Sequence, residues 1–419
     1  ANSERTNEDF EDAFSVQALS DDFFNYYRAY YAVFVQYITG VPYSDEKELT
    51  NIIKRFNWLE QDNTNQFAST FESDGRSTRD YVKKMFGRIV FLYFLQRKGW
   101  LYNNEHVSDP HYMHNLFSNA GKYQDSFLDD VLETLFFYVL NTKEIQERQQ
   151  EAESSGRDIT LLPGWQFIPY LNGGLFSQDD IDPKVCHFPA SYFRELFSFL
   201  DSFNFTIDEN DSEDAEIGID PEMLGRIFEN LLEDNKDKGA YYTPKPIVDY
   251  MCQEAIIAYL QDERYSSAGN ELIRQYVITR NVDLLNETQR KEIEERLLRV
   301  KICDPAIGSG AFPMGIVNIL SKLFISLRTY SFIDQAKMKR YIMQQSIYGV
   351  DIEKGAVDIA RLRFWLAMVV DEDEPMPLPN LHFKIMQGNS LLESYNNRDL
   401  THICGGVDEK GQSALDFSD

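Results

Sequence analysis

A sharp turn between a short apolar run and a helix-like segment is the feature that most limits the fold of this chain. The stretch "ICDPAIGSGAF", Ile302 to Phe312, places an Asp-Pro pair at the end of the run and then two glycines two residues apart. Three apolar runs that each end in a polar residue are predicted as strands: 298–304, 346–351 and 382–389. Helical patterns over 315–327 and 356–370 follow the first two. Such alternation predicts a parallel sheet, whose ligands bind outside the carboxyl ends of the strands.

Two phosphate-binding motifs can be compared with the glycine turn. A dinucleotide fingerprint needs Gly-x-Gly-x-x-Gly, but Pro313 stands where the third glycine belongs. A P-loop ends in Lys-Ser/Thr, and Ile316 and Val317 stand there instead. Residues 305–321 also contain no lysine or arginine. A turn built for several phosphates is therefore not favoured.

A ligand with an ammonium group, a carboxylate and a ribose suits the turn better. Asp304 can pair with the ammonium group, and Gly308 and Gly310 let the backbone approach closely. The N-terminus of the helix that follows favours a carboxylate. Asp351 ends the next strand and suits the ribose hydroxyls, as acids do in dinucleotide sites. These features predict S-adenosylmethionine (S-adenosyl-L-methionine) as the ligand.

Two further residues are expected beside the adenine of this ligand. Ile352 offers an apolar surface, and Asn389, after the third strand, can read the edge of the base. The gap between Asp304 and Asp351 exceeds the ~20 residues of a dinucleotide-binding unit. We therefore expect an insertion before the second strand, within 328–340.

The residues that precede the sheet pattern are predicted to be mainly helical. Apolar and aromatic residues repeat at three- and four-residue spacing over 21–38, 80–101 and 126–142. Residues 144–158 are polar and are interpreted as a solvated extension or loop. Residues 201–220 contain eight acids and no Lys or Arg, which is typical of a connector.

The 419 residues allow two or three domains. We predict a helical domain over 1–205, an acidic linker over 206–220 and a cofactor-binding portion over 221–419. His111 and His114 have no third ligand nearby in the sequence, so we predict a surface pair and no metal site.

The net charge of -27 bears on partners and location. DNA binding needs cations that replace counterions along the phosphates, so the average surface should bind DNA poorly. A DNA-binding surface would then lie in a local groove or outside these residues. No apolar run reaches the ~20 residues that span a bilayer, and the polar start is no signal peptide. We expect a cytoplasmic protein without a membrane partner.

Four stretches occur in an order that points to one family. They are "GAYYTPKPIVDYM" (239–251), "DPAIGSGAF" (304–312), "IYGVDIEKGAVDIARLRFWL" (347–366) and "QGNSLL" (387–392). Together they resemble the amino-methylating DNA adenine methyltransferases of type IIG restriction–modification enzymes and BREX-type phage-defence methylases. Upstream, "FSVQALSDDFF", "YLNGGLF" and "IDPEMLGRIFENLL" resemble the helical region that precedes the methylase domain in those large proteins.

The resemblance implies an α/β fold: a Rossmann-like class I methyltransferase portion, with a parallel sheet flanked by helices, preceded by a mainly α-helical domain. It implies adenine-N6 methylation of double-stranded DNA, with restriction or defence-complex subunits as further partners. The cofactor contacts that it implies are Tyr242, Thr243, Asp304, Pro305, Ala306, Gly308, Gly310, Phe312, Asp351, Ile352, Asn389 and Ser390.

These enzymes carry an Asn-Pro-Pro-Tyr/Phe motif that binds the flipped-out base, and this sequence contains no such tetrapeptide. We therefore expect a fragment that lacks the catalytic motif and the target-recognition domain, does not methylate alone, and leaves the catalytic residues unknown. Two alternatives stay open: a methyltransferase for RNA or protein, and a non-catalytic partner-binding module with a vestigial cofactor site.

Overall fold

The structure, a computed structural model, describes residues 16–42, 47–56, 76–104, 107–171, 174–178, 182, 186–205, 218–219, 243–261, 268–327, 335–392, 394–395 and 398–399. Most of these residues are helical, and the largest sheet among them has three parallel strands. Within these ranges no helix is both long and apolar enough to cross a membrane.

The N-terminal part is built from helices α1 (Val16–Thr39), α2 (Lys47–Ile53), α3 (Arg76–Arg97), α4 (Tyr112–Asn119), α5 (Ile145–Ser154) and α6 (Ala190–Asp201). Short strands β1 (Tyr102–Asn104) and β2 (Val107–Ser108) pair antiparallel, and β3 (Asn204–Phe205) pairs parallel with β4 (Gly218–Ile219). Aromatic rings fill the core between the helices: Phe34 of α1 packs edge-on against Phe86 of α3 and near Phe193 of α6. This packing confirms the helices predicted over 21–38 and 80–101.

The third predicted helix, over 126–142, is wider than an α-helix along much of its length. Residues Phe127–Leu132 and Leu135–Val139 form π-helical turns. The buried carboxyls of Asp129 and Glu133 each lie beside a basic side chain. His187 Nδ1 lies 2.6 Å from Asp129 Oδ2, and Arg157 Nη2 lies 2.9 Å from Glu133 Oε2. Burial raises the pKa of Glu133 to about 8.

Residues 144–158 are interpreted from the sequence as a solvated extension or loop. Most of them form helix α5, whose residues are mainly exposed, so the loop alternative is wrong. The polar sequence hides one buried cation, Arg148. Its Nε donates to the Thr142 carbonyl at 2.7 Å, and its Nη1 donates to the carbonyls of Trp165 and Ile168. A buried guanidinium whose donors reach backbone carbonyls can anchor a helix that has little apolar surface.

The C-terminal part alternates helices and strands as predicted. Its helices are α7 (Lys245–Leu260), α8 (Asn270–Thr279), α9 (Glu287–Arg299), α10 (Ala311–Leu327), α11 (Gln335–Gln345) and α12 (Lys354–Asp371). Its strands are β5 (Ile302–Asp304), β6 (Ile347–Asp351) and β7 (Ile385–Gln387), with the antiparallel pair β8 (Ser394–Tyr395) and β9 (Arg398–Asp399) beyond them. Helix α11 overlaps the insertion expected before the second strand.

The three parallel strands lie in the order β5-β6-β7, so all their carboxyl ends meet at one edge. The strands are shorter than predicted, because α9 extends to Arg299 and β7 begins only at Ile385. They are also not buried on both faces. Helices α10, α11 and α12 contact the sheet, while Cys303 and Met386, which share one face by the strand register, are exposed.

Helix α12 also packs against α3 of the N-terminal part. The two helices approach closely at Gly87, where a Cβ would lie 3.2 Å from Leu362 Cδ2. At the end of α3, Lys98 Nζ donates to the carbonyl of Glu372, 2.8 Å away, directly after α12. One helix thus contacts both the sheet and the helices that precede it in the sequence.

Candidate functional site

The glycine turn connects β5 to α10 at the carboxyl edge of the sheet. Gly308 and Gly310 have φ angles of 53° and 87°, a region that residues with a side chain rarely adopt. The Ile307 N–H donates to the Val350 carbonyl and the Gly310 N–H to the Ile307 carbonyl, both at 2.9 Å. The turn therefore needs both glycines and lies against the end of β6.

Asp351 holds the turn in place. Its Oδ2 accepts the Gly308 N–H at 2.9 Å, and its Oδ1 accepts the Glu353 N–H at 2.9 Å. A carboxylate has about four lone-pair sites, so two hydrogen bonds leave acceptor capacity for a ligand. Asp351 thus ties the turn to the second strand, a role that the sequence reasoning, which predicted only a ribose contact, did not include.

Asp304 has one satisfied and one unsatisfied oxygen. Its Oδ1 accepts the Ala306 N–H at 3.0 Å, whereas its buried Oδ2 has no hydrogen-bond partner. Burial raises the pKa of this carboxyl, and the charge of Asp351 raises it further. A buried acceptor without a partner is costly unless something pairs with it, so the Oδ2 atom suits a cationic ligand group.

The segment after β7 folds over the glycine turn. Ser390 Oγ donates to the Pro305 carbonyl at 2.7 Å, and the Gly388 N–H donates to the Asp351 carbonyl at 2.8 Å. Asn389 Oδ1 accepts the Leu391 N–H at 3.0 Å. The structure therefore brings Pro305, Ser390 and Asp351 together, while the carbonyl end of the Asn389 amide is engaged in a local turn.

Ile352 follows directly on Asp351 and is 61% exposed. Its carbonyl accepts Gln387 Nε2 at 3.1 Å, which fixes the backbone beside β7. Ile352 stands between Asp351 and Glu353 in the sequence, and because it is so exposed it contributes little to the core. Its position suits the predicted contact with a flat apolar ring.

Thr243 lies just before helix α7, which packs against α10. Helix α7 starts at Lys245, and Pro244 is its N-cap residue. Gly315 of α10 lets α7 approach, because a Cβ there would lie 2.7 Å from Val248 Cγ1. Thr243 and Ala311 line one cleft between these helices.

Phe312 and Tyr242 complete the predicted contacts. Phe312 is partly buried against the core, and its carbonyl accepts Cys252 Sγ at 3.4 Å. This placement agrees with a supporting role behind the turn. Tyr242 lies outside the described residues, as does most of the predicted acidic linker.

Two residues near the turn were missed from the sequence. Arg363 of α12 donates from Nη1 to the carbonyl of Ser309, 3.0 Å away. Gly349 in β6 has no room for a Cβ because the Ile307 side chain occupies that place. A basic residue inside the apolar repeat "ARLRFWLAMVV" was the available signal for Arg363.

Among the residues that the structure describes, no group of three or more His, Cys, Asp or Glu is placed to hold a metal ion. His114 instead has its Nδ1 2.8 Å from Asp201 Oδ2.

Two known proteins are similar to this chain over much of its length. The chain is 28% identical to a Methanocaldococcus jannaschii protein whose name places it among type II restriction enzymes and methyltransferases, over 79% of this chain and 30% of that protein. A solved structure of the type IIL restriction–modification enzyme MmeI in complex with DNA aligns with 75% of this chain and 38% of its own, at 19% identity and a TM-score of 0.45. The chain thus spans about a third of the length of these proteins.

A protein-family model matches the segment that contains the glycine turn. Residues 281–393, which run from shortly before α9 past all three parallel strands, match the DNA-methyltransferase domain of MmeI. This match confirms the coarser part of the resemblance stated above, to DNA methyltransferases of restriction–modification enzymes. The segment that holds the candidate site is therefore similar to the DNA-methyltransferase domain of MmeI.

Proposed function

We propose that this chain is the S-adenosylmethionine-binding portion of a DNA adenine-N6 methyltransferase with a Rossmann-like class I fold. The observation that carries the proposal is the unsatisfied, buried Oδ2 of Asp304 beside the glycine turn. Asp351 and the exposed Ile352 lie at the end of the neighbouring strand. Together they offer a cation acceptor, a hydroxyl acceptor and an apolar surface along one sheet edge.

The residues would divide the binding of the cofactor among themselves. Asp304 would hold the ammonium group, and Asp351 would accept the ribose hydroxyls while it keeps its bond to Gly308. Ile352 would cover the adenine. S-adenosylmethionine supplies an electrophilic methyl group, and these residues would orient it.

The target would be an adenine amino group in double-stranded DNA. The match to a DNA-methyltransferase domain supports DNA as the substrate. Adenine flipping and amino-group orientation would need residues beyond those present, because the sequence has no Asn-Pro-Pro-Tyr/Phe motif. The net charge of -27 means that this chain alone would bind DNA weakly.

Calorimetric titration with S-adenosylmethionine tests the cofactor site. We expect one saturable site, and we expect Ile352→Ala to weaken it about tenfold, since burial of an isoleucine side chain against a ligand is worth roughly 1.5 kcal/mol. Because Ile352 is exposed, this change should leave the free energy of unfolding almost unchanged. Unchanged affinity in the Ile352→Ala variant would show that the adenine does not bind against Ile352.

The matched control is Ile325→Ala, a similarly exposed isoleucine (53%) on α10. It should leave the affinity unchanged. No heat from a folded wild-type chain would contradict the cofactor proposal as a whole. Binding without later methyl transfer to DNA by a longer protein would instead favour an RNA or protein target.

The raised pKa of Asp304 predicts proton release on binding. An ammonium group beside this carboxyl favours its ionised form, so binding should lower the pKa and release a fraction of a proton. Affinity should therefore fall as the pH is lowered through the raised pKa. Calorimetry in buffers of different ionisation enthalpy measures the released proton.

The variant Asp304→Asn serves as the comparison for this measurement. It should bind more weakly, with no proton release from this position. Equal proton release in the wild type and the variant would show that the ammonium group does not bind at Asp304.

A further inference from the structure

Arg363 is a buried cation whose side chain reaches the glycine turn. It lies in α12 and is 5% exposed. Its Nη1 donates to the carbonyl of Ser309 at 3.0 Å and lies 3.3 Å from Ser309 Oγ. Ser309 stands between the two glycines with positive φ and is only 2% exposed. The contact is thus made at the centre of the turn, away from solvent.

The bond to Ser309 orients a whole peptide unit. Because the peptide bond is planar, a fixed carbonyl at Ser309 also fixes the direction of the Gly310 N–H. That N–H donates to the Ile307 carbonyl at 2.9 Å. A charged donor in a dry environment forms a stronger hydrogen bond than a neutral one. Arg363 therefore holds the second half of the turn.

Asp351, at the end of β6, holds the first half of the glycine turn. Its Oδ2 accepts the Gly308 N–H, two residues before Gly310. The turn is fixed by an anion from β6 and by a cation from α12. Glycines populate many backbone conformations, so a turn with two of them needs such fixed partners to keep one shape.

We propose that Arg363 is a positioning residue that sets the conformation of the glycine turn and thereby its affinity for the cofactor. The cofactor part of this proposal rests on the proposed function. Arg363 itself acts through Ser309 and the turn. No contact between Arg363 and the ligand is needed.

The helix offers a matched control two residues earlier. Arg361 is half-buried, and its Nε donates to the carbonyl of Ile385 in β7 at 3.0 Å. Arg361→Met therefore removes a guanidinium from the same helix without touching the turn. Arg363→Lys keeps a charged donor at the turn, whereas Arg363→Met keeps only the apolar stem.

Two measurements separate positioning from general stability. In glycine-selective ¹⁵N spectra without ligand, Arg363→Met should shift the amide signals of Gly308 and Gly310, and Arg361→Met should leave them in place. In calorimetry, Arg363→Met should weaken S-adenosylmethionine binding by about 30- to 100-fold, because loss of the charge-assisted hydrogen bond lowers the fraction of molecules whose turn has the binding-competent shape. Arg363→Lys should recover part of this loss.

The outcomes are distinct. Unmoved glycine signals in folded Arg363→Met would overturn the positioning role, as would wild-type affinity in that variant. An equal loss in Arg361→Met would do the same, because it would reduce the effect to stability. If the wild-type chain binds no cofactor, the proposed function fails, while the glycine shifts still decide whether Arg363 sets the turn.

Discussion

Valine in place of Gly310 is expected to weaken the binding of S-adenosylmethionine at least about 100-fold, because the turn would rarely adopt its binding-competent shape. Gly310 has a φ of 87°, which a β-branched residue adopts only under strain of about 1–3 kcal/mol. A Cβ there would also lie 3.4 Å from Ala360 Cβ, so the larger valine would push the turn away from α12. Calorimetric titration of the folded variant measures the loss.

Gly156→Val is the control for backbone strain alone. Gly156 follows α5 with a φ of 73°, and a Cβ there would meet no atom within 4 Å. This variant should lose stability to a similar degree and keep its affinity for the cofactor. Retained affinity in Gly310→Val would mean that the turn does not form the cofactor site.

Methionine in place of Arg88 is expected to lower the free energy of unfolding by about 3–5 kcal/mol. Arg88 of α3 is 3% exposed, and its guanidinium forms two hydrogen bonds with Asp182, at 2.7 Å and 3.0 Å. It also donates to the carbonyls of Leu175 and Ser177. Its loss leaves a buried carboxylate and two carbonyls without this partner. Urea unfolding measures the change.

The triple variant Lys84→Met/Arg88→Met/Asp182→Leu should recover part of that stability, because it removes the buried carboxylate together with the two cations that pair with it, Lys84 and Arg88. Lys291→Met is the control at an exposed pair with Glu287 and should cost less than about 0.5 kcal/mol. A small effect of Arg88→Met would contradict the view that this buried pair stabilises the helical part.

The periodic parts of the fold were predictable because their apolar repeats are uninterrupted. The helix around Phe34 and the strand that ends at Asp351 lie where the patterns placed them. The π-helical turns near Glu133 were not predictable, since an apolar repeat looks alike in both helix types. Helix α5 was missed because it buries only Arg148 and Ala152, and a charged residue and one small residue give no apolar repeat.

The sequence indicated which residues lie at the candidate site, but not most of the hydrogen bonds that they form there. A glycine turn after a strand indicates a ligand edge, and the structure places Gly308, Asp304 and Asp351 there. The sequence could not show that Asp351 accepts a hydrogen bond from the turn itself. It also could not show that Arg363 reaches the turn from α12, the helix that follows β6. Such contacts depend on how distant elements pack. The roles of these residues as cofactor contacts stay predictions.

The packing of α12 against α3 restricts how this protein can be recombined with its relatives. Leu362 fits against Gly87 on one side of α12, and the next residue, Arg363, reaches the turn. A chimera that joins the helical part of one protein to the sheet of another at a junction within 206–242 would have to match this contact surface as well. Exchangeable segments must therefore carry α3 and α12 from the same parent.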